Sequence, residues 1–153
     1  MDALSLLKKD HANVKTLFKE IEGLGDRAHT ARKNLFQKID EELTLHAEIE
    51  EKVFYPAFKQ RAKDSEERDE VLEAYEEHAL VKALLAELEN MEPKDESYKP
   101  KLNVLMELVK HHVKEEEGTL FPMARELFGP DELKELGDEL QRAKENSGAP
   151  VRV

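Results

Sequence analysis

The chain contains no cysteine. That excludes a disulfide, a thiolate metal site and a cysteine nucleophile. It also lacks any apolar run near the roughly 20 residues that span a bilayer. The opening MDALSLLKKD is acidic by its second residue and shows no cleavable signal pattern. Positive charge is in deficit: 24 basic against 35 acidic side chains give a net charge of −11. Nucleic acids and anionic membranes need a basic patch, so neither is expected as a partner. Glycine and proline are sparse, at six each, and aromatics make up only 6%. These absences lead to the expectation of a soluble, cytoplasmic protein built from few, long elements.

What remains is charge and helical periodicity. Charged residues make up 39% of the 153, a composition that suits helices with solvated, ion-pair-laced faces. The length fits one domain able to bury a core. Breaks fall at Gly23 and Gly25, at Asp64-Ser65, between Pro93 and Pro100, and at Gly129-Pro130. Between them, apolar residues recur at helical spacing. One stripe is Leu4, Leu7, Val14, Phe18 and Ile21; the next is Leu35, Ile39, Leu43 and Val53. A third is Val71, Ala74 or Tyr75, Val81, Leu85 and Leu88, and a fourth is Leu102, Leu105, Val109 and Leu120. Thr30, Ser65 and Ser97 are candidate N-caps. Pro56 and Pro122 are expected to kink or end their helices. The pattern predicts an all-α, up-down-up-down four-helix bundle over residues 1–128. Residues 129–153 would add a short helix, Asp131 to Lys144, covering one end, and a flexible tail in the same domain.

The sequence is also a duplication. HANVKTLFKEIE from His11 matches HALVKALLAELE from His78 at seven of twelve positions, an offset of 67. LHAEIEEKVFYP from Leu45 parallels HHVKEEEGTLFP from His111, with His46 and His112 offset by 66. Each predicted helix thus carries one His on its apolar stripe: His11, His46, His78 and His112. Glu50 and Glu116 follow two of these at i+4, about 40° round the helix and so on the same face. Buried without partners, these groups would cost several kcal/mol. A metal centre removes that cost, because neutral imidazole and carboxylate are good ligands; the competing reading is a polar core network of His–Glu pairs. Six ligands exceed one tetrahedral zinc and suit two ions bridged by the carboxylates. The thiolate-free donor set fits iron or manganese.

Other residues near these motifs carry bland expectations. His111 and Glu115 form a second i+4 pair, but the stripe points to His112, so His111 is expected to flank the site. Glu51 and Glu117 lie at i+5 and are expected at the surface, unless a kink before the proline swings one inward. Asp10 and Glu77 precede ligand histidines and could accept from ring N–H groups, but the helical angle favours exposure. His29, beside a glycine break, is expected to be solvated. Tyr55 pairs with Phe121 in the repeat. Its hydroxyl is expected in water at the bundle end, with ligation or proton transfer as the catalytic alternative.

The pattern His11, His46-x-x-x-Glu50, His78, His112-x-x-x-Glu116 resembles the hemerythrin-like HHE cation-binding family over about residues 2 to 128. The resemblance implies two iron ions with an oxo or hydroxo bridge, held in a four-helix bundle with Glu50 and Glu116 bridging; zinc or manganese are the alternative occupants. The oxygen carriers of the family have a fifth His one turn from the third-helix His, where this chain has Ala74 and Lys82. They also use His-x-x-x-x-Asp where this chain has His112 and Glu116. The ligand set is closer to bacterial members, including those linked to iron–sulfur repair, although these commonly carry a cysteine. With two His per ion and shared carboxylates, each ion has about four protein bonds, which leaves open positions for an external ligand. The resulting expectation is a protein that reacts with peroxide, nitric oxide or dioxygen, in detoxification or sensing, with an unidentified reductant as partner. The alternatives are a reversible oxygen or nitric oxide module, iron–sulfur repair, or iron storage.

Overall fold

The computed structural model describes residues 1–147, and the described residues contain no strand. Helix α1 is Ala3–Glu22 and α2 is His29–Ile49. A π turn, Glu50–Phe54, joins α2 without a break to α3, Tyr55–Arg61. Helix α4 is Ser65–Glu89 and α5 is Tyr98–Glu115. A second π turn, Glu116–Leu120, leads into α6, Phe121–Leu127, and Pro130–Asn146 forms α7. The bundle therefore has four long rods, two of them carrying a π turn, and α7 laid across one side. The flexible tail expected over NSGAPVRV, from Asn146, falls mainly on residues 148–153, outside the described residues.

Several local expectations are corrected. Asp64, not Ser65, caps α4: its Oδ1 accepts the Glu67 N–H at 2.9 Å. Thr30 lies inside the first turn of α2, whose N-cap residue, Ala28, offers no side-chain cap. Ser97 occupies the N-cap position of α5, but its hydroxyl makes no capping bond. Pro56 and Pro122 end neither helix. Each sits in the first turn after a π turn, where a missing N–H is tolerated. The wider turn inserts one residue, so Tyr55 and Phe121 donate their N–H to Glu50 and Glu116, five residues back. The buried face consequently steps from Val53 to Phe54, and on α2 it takes Phe36 in place of Leu35.

The core is divided. One apolar cluster contains Leu4, Leu7, Ile49, Phe54, Phe58, Val71, Phe121 and the α7 residues Leu133, Leu136 and Leu140. The other contains Val14, Phe18, Phe36, Leu43, Val81, Leu85, Leu102 and Val109. On every rod, the stripe histidine lies between the residues of the two clusters. A polar layer thus separates two apolar blocks that fix the helices above and below it. Helix α7 approaches α1 closely: a Cβ on Gly137 would come within 2.3 Å of the Met1 carbonyl oxygen. Only glycine fits there.

Candidate metal centre

The stripe residues converge. His11, His46, His78 and His112 are 5–7% exposed, while Glu50 and Glu116 are 0% and 2% exposed. Their ligand atoms form two groups, each within 4.8 Å: His11, His46, Glu50 and Glu116, and Glu50, His78, His112 and Glu116. Both carboxylates belong to both groups. Two nearby points are thus each faced by two imidazoles and by two shared carboxylates.

The outer nitrogens explain why the rings point inward. His11 Nδ1 lies 2.6 Å from Glu117 and His46 Nδ1 lies 3.0 Å from Asp10. His78 Nδ1 lies 2.9 Å from Glu51, and His112 Nδ1 lies 2.7 Å from Glu77. A carboxylate only accepts, so each Nδ1 carries the proton and donates it outward. Each neutral ring then presents the lone pair of Nε2 to the interior, the arrangement that orients metal-binding histidines. The inner Nε2 atoms crowd against Glu50 and Glu116 at 3.0–3.3 Å. His11 Nε2, His46 Nε2, both oxygens of Glu50 and Oε1 of Glu116 make no hydrogen bond. The His78 and His112 Nε2 atoms face each other at 3.2 Å. Each unsatisfied buried group costs about 1–3 kcal/mol, and lone pairs crowded this closely need positive charge between them, from protons or from metal ions. The residues present fit a pair of metal ions.

The charges are mutually dependent when metal is absent. Burial disfavours a charged His46, but Glu50, Asp10 and Glu116 outweigh it and hold its pKa well above the usual value. Burial likewise opposes charge on His112, yet Glu116 and Glu77 raise its pKa to about 10. Burial would lift Glu116; His112, His11 and His46 instead hold it well below the carboxylate range. Protons on His46 and His112 then supply positive charge in place of a metal.

Four expectations fail here. Glu51 and Glu117 are not surface charges: the π turns bring them onto His78 and His11. Asp10 is 2% exposed, and Glu77 is half-buried. Each turns away from its own helix's histidine and binds the histidine of the next rod. The repeat carried this signal, since all four acids recur in register, but a single helical wheel cannot show a neighbouring helix. Lys144 of α7 reaches Asp10 at 2.5 Å, and Lys82 reaches Glu51 at 2.9 Å. Tyr55 is fully buried rather than wet. Its hydroxyl donates a short hydrogen bond to Glu116 Oε2 and lies 3.2 Å from His78 Nε2 and 3.3 Å from His112 Nε2. Burial, with Glu116 and Glu50 nearby, pushes its pKa well up, so the phenol keeps its proton. In the twin position, Phe121 stacks on His11 at 5.9 Å. His111 stays exposed, 3.6 Å from Glu77. His29 is half-buried with its Nδ1 enclosed, not solvated.

The hemerythrin HHE cation-binding domain model matches residues 2–124. The chain belongs to the hemerythrin HHE cation-binding family. A crystal structure of a hemerythrin HHE cation-binding domain-containing protein from Mycobacterium kansasii superposes with a TM-score of 0.80 and 26% identity, covering 95% of this chain and 86% of that one. An uncharacterized protein of Mycobacterium tuberculosis is 28% identical over 99% of this chain and 91% of its own length. A DNA nickase from a Nostoc species is 29% identical over 94% of this chain, but this hemerythrin domain spans only 39% of that protein. Family membership implies metal binding, and the His/Glu clusters could hold the ions. Among the described residues no helix is long and apolar enough to cross a membrane.

Proposed function

We propose that this hemerythrin domain holds two iron ions and uses them to bind or react with a small oxidant or diatomic molecule: peroxide, nitric oxide or dioxygen. One observation carries the reading: four histidines tied outward through Nδ1 turn Nε2 toward two carboxylates that both clusters share. In this arrangement His11 and His46 would hold one ion, His78 and His112 the other, and Glu50 and Glu116 both. Imidazole and carboxylate donors without thiolate favour iron or manganese over zinc. Bound iron would supply the electron exchange; the protein supplies position, charge and protons.

The surroundings support a small ligand. An apolar cavity of about 30 Å³ touches all four histidines and is walled by Val14, Val81, Leu85 and Val109. That is room for a water-sized or diatomic guest. Tyr55 adds a proton donor on one ion's side only, which suits peroxide or oxygen chemistry better than passive storage. An external reductant is part of the proposal wherever turnover consumes electrons. With a net charge of −11 the chain offers no basic footprint for DNA, so the nickase relative's substrate is not carried over.

The test is elemental analysis of the purified chain, with optical spectra before and after anaerobic addition of peroxide, nitric oxide or dioxygen. Two irons per chain and a spectral change with one of these ligands are expected. Absence of iron uptake, or an iron-loaded form inert to all three, would refute the proposal.

A further inference from the structure

The two halves treat the flank of the centre differently. In the second half, an open recess of about 230 Å³ runs between α4 and α5 to His112 and Glu116. Its walls carry Glu70, Glu73, Glu77 and Glu115, with His111 at the edge. In the first half, the repeat places Ala3, Leu6, Asp10 and Ile49 where Glu70, Glu73, Glu77 and Glu115 stand, and Leu45 where His111 stands. There the flank is closed. Ala3, Leu6 and Ile49 are at most 5% exposed and share an apolar cluster with Leu133, Leu136 and Leu140 of α7. Lys144 completes the cover by pairing with Asp10.

A helix like α7 cannot close the second flank, because it would bury three carboxylates in place of Ala3, Leu6 and Ile49. No Lys or Arg ion pair involves Glu70, Glu73 or Glu115 among the described residues. Burial and the neighbouring Glu115, Glu73 and Glu77 raise the pKa of Glu70, a sign of like charges crowded together. At the inner end stand His112 and Glu116, members of the candidate metal cluster; Glu116 is 2% exposed, with Oε2 taking the Tyr55 hydroxyl and Oε1 3.0 Å from His11 Nε2. A recess walled by four glutamates that leads to two candidate ligands concentrates cations and repels anions.

We propose that this recess is the port through which divalent metal ions enter the centre, with Glu70, Glu73 and Glu115 drawing them in and Glu77 with His111 standing where the recess meets His112. This rests on the two-metal reading and adds the route by which the metal arrives. The other flank, sealed by α7, is closed to the same traffic.

The experiment is stopped-flow uptake of Co(II) by metal-free protein, followed by the cobalt absorption bands, with circular dichroism to verify the fold. The variant Glu70→Gln/Glu73→Gln/Glu115→Gln leaves every candidate ligand in place. It should take up cobalt about tenfold more slowly at low ionic strength, within the range of electrostatic steering. Its final stoichiometry of two and its spectrum should match the parent, and added salt should slow the parent more than the variant. A control, Glu135→Gln/Glu139→Gln/Glu145→Gln on the exposed face of α7, removes the same charge and should leave uptake near the parent rate. Equal slowing in both variants, or none in the first, overturns the port while leaving the two-metal centre intact. A parent chain that binds no cobalt overturns both.

Discussion

Tyr55→Phe is the most informative single change, because the protein already contains its outcome at Phe121 in the other half. The ring is fully buried against Phe54 and Tyr75, so its packing survives and only the hydroxyl is lost. What disappears is one buried hydrogen bond from a phenol to an ionised carboxylate, Glu116. Bonds to charged groups contribute about 1.5–3 kcal/mol, and no donor is stranded because the O–H leaves with the oxygen. The metal-free variant should therefore be less stable by about 1.5–3 kcal/mol in urea or guanidinium titration. Functionally, a positioned proton donor contributes roughly 10²–10⁴ in rate. The iron-loaded variant should react with peroxide at least about 100-fold more slowly while retaining two irons. Stopped-flow optical kinetics with parallel metal analysis measure both quantities. Unchanged peroxide kinetics at full metal content would refute the proton-donor role. Loss of iron in proportion to the rate would show that Tyr55 acts only by positioning Glu116.

Glu117→Gln replaces the charged acceptor of His11 Nδ1, 2.6 Å away, and should weaken metal binding about 10–100-fold, read by competition with a chromophoric chelator; equal affinity would mean that the contact is incidental. The metal-free protein should lose stability on the alkaline side. His46 and His112 have folded pKa values above the unfolded value, so their contribution is complete below about pH 6.5 and disappears as pH rises through about 10 for His112. Thermal melts across that window test the sign, and metal binding near pH 7 should release protons detectable in weakly buffered solution. Gly137→Ala should cost about 1–3 kcal/mol by forcing α7 off the Met1 carbonyl; an unchanged melting temperature would show that α7 can slide freely.

The sequence by itself determined the helical rods, the duplication and the six converging groups, because helical phase depends only on residue spacing. His11, His46, His78 and His112 lie on apolar stripes, and such stripes must face one another in a bundle. The carboxylates behind them were decided by tertiary structure. Asp10 and Glu77 stand about 100° from their own helix's histidine and reach that of an adjoining rod, an angle visible only once the rods are packed. Glu51 and Glu117 turn inward because the π turns widen the helix ahead of Pro56 and Pro122, which a regular helical wheel cannot represent. Tyr55 gains its place at Glu116 from the same one-residue step. The sealing of one flank by α7, with the acidic recess left on the other, likewise arose from packing: three side chains that differ between the repeats decide which groove can accept a helix.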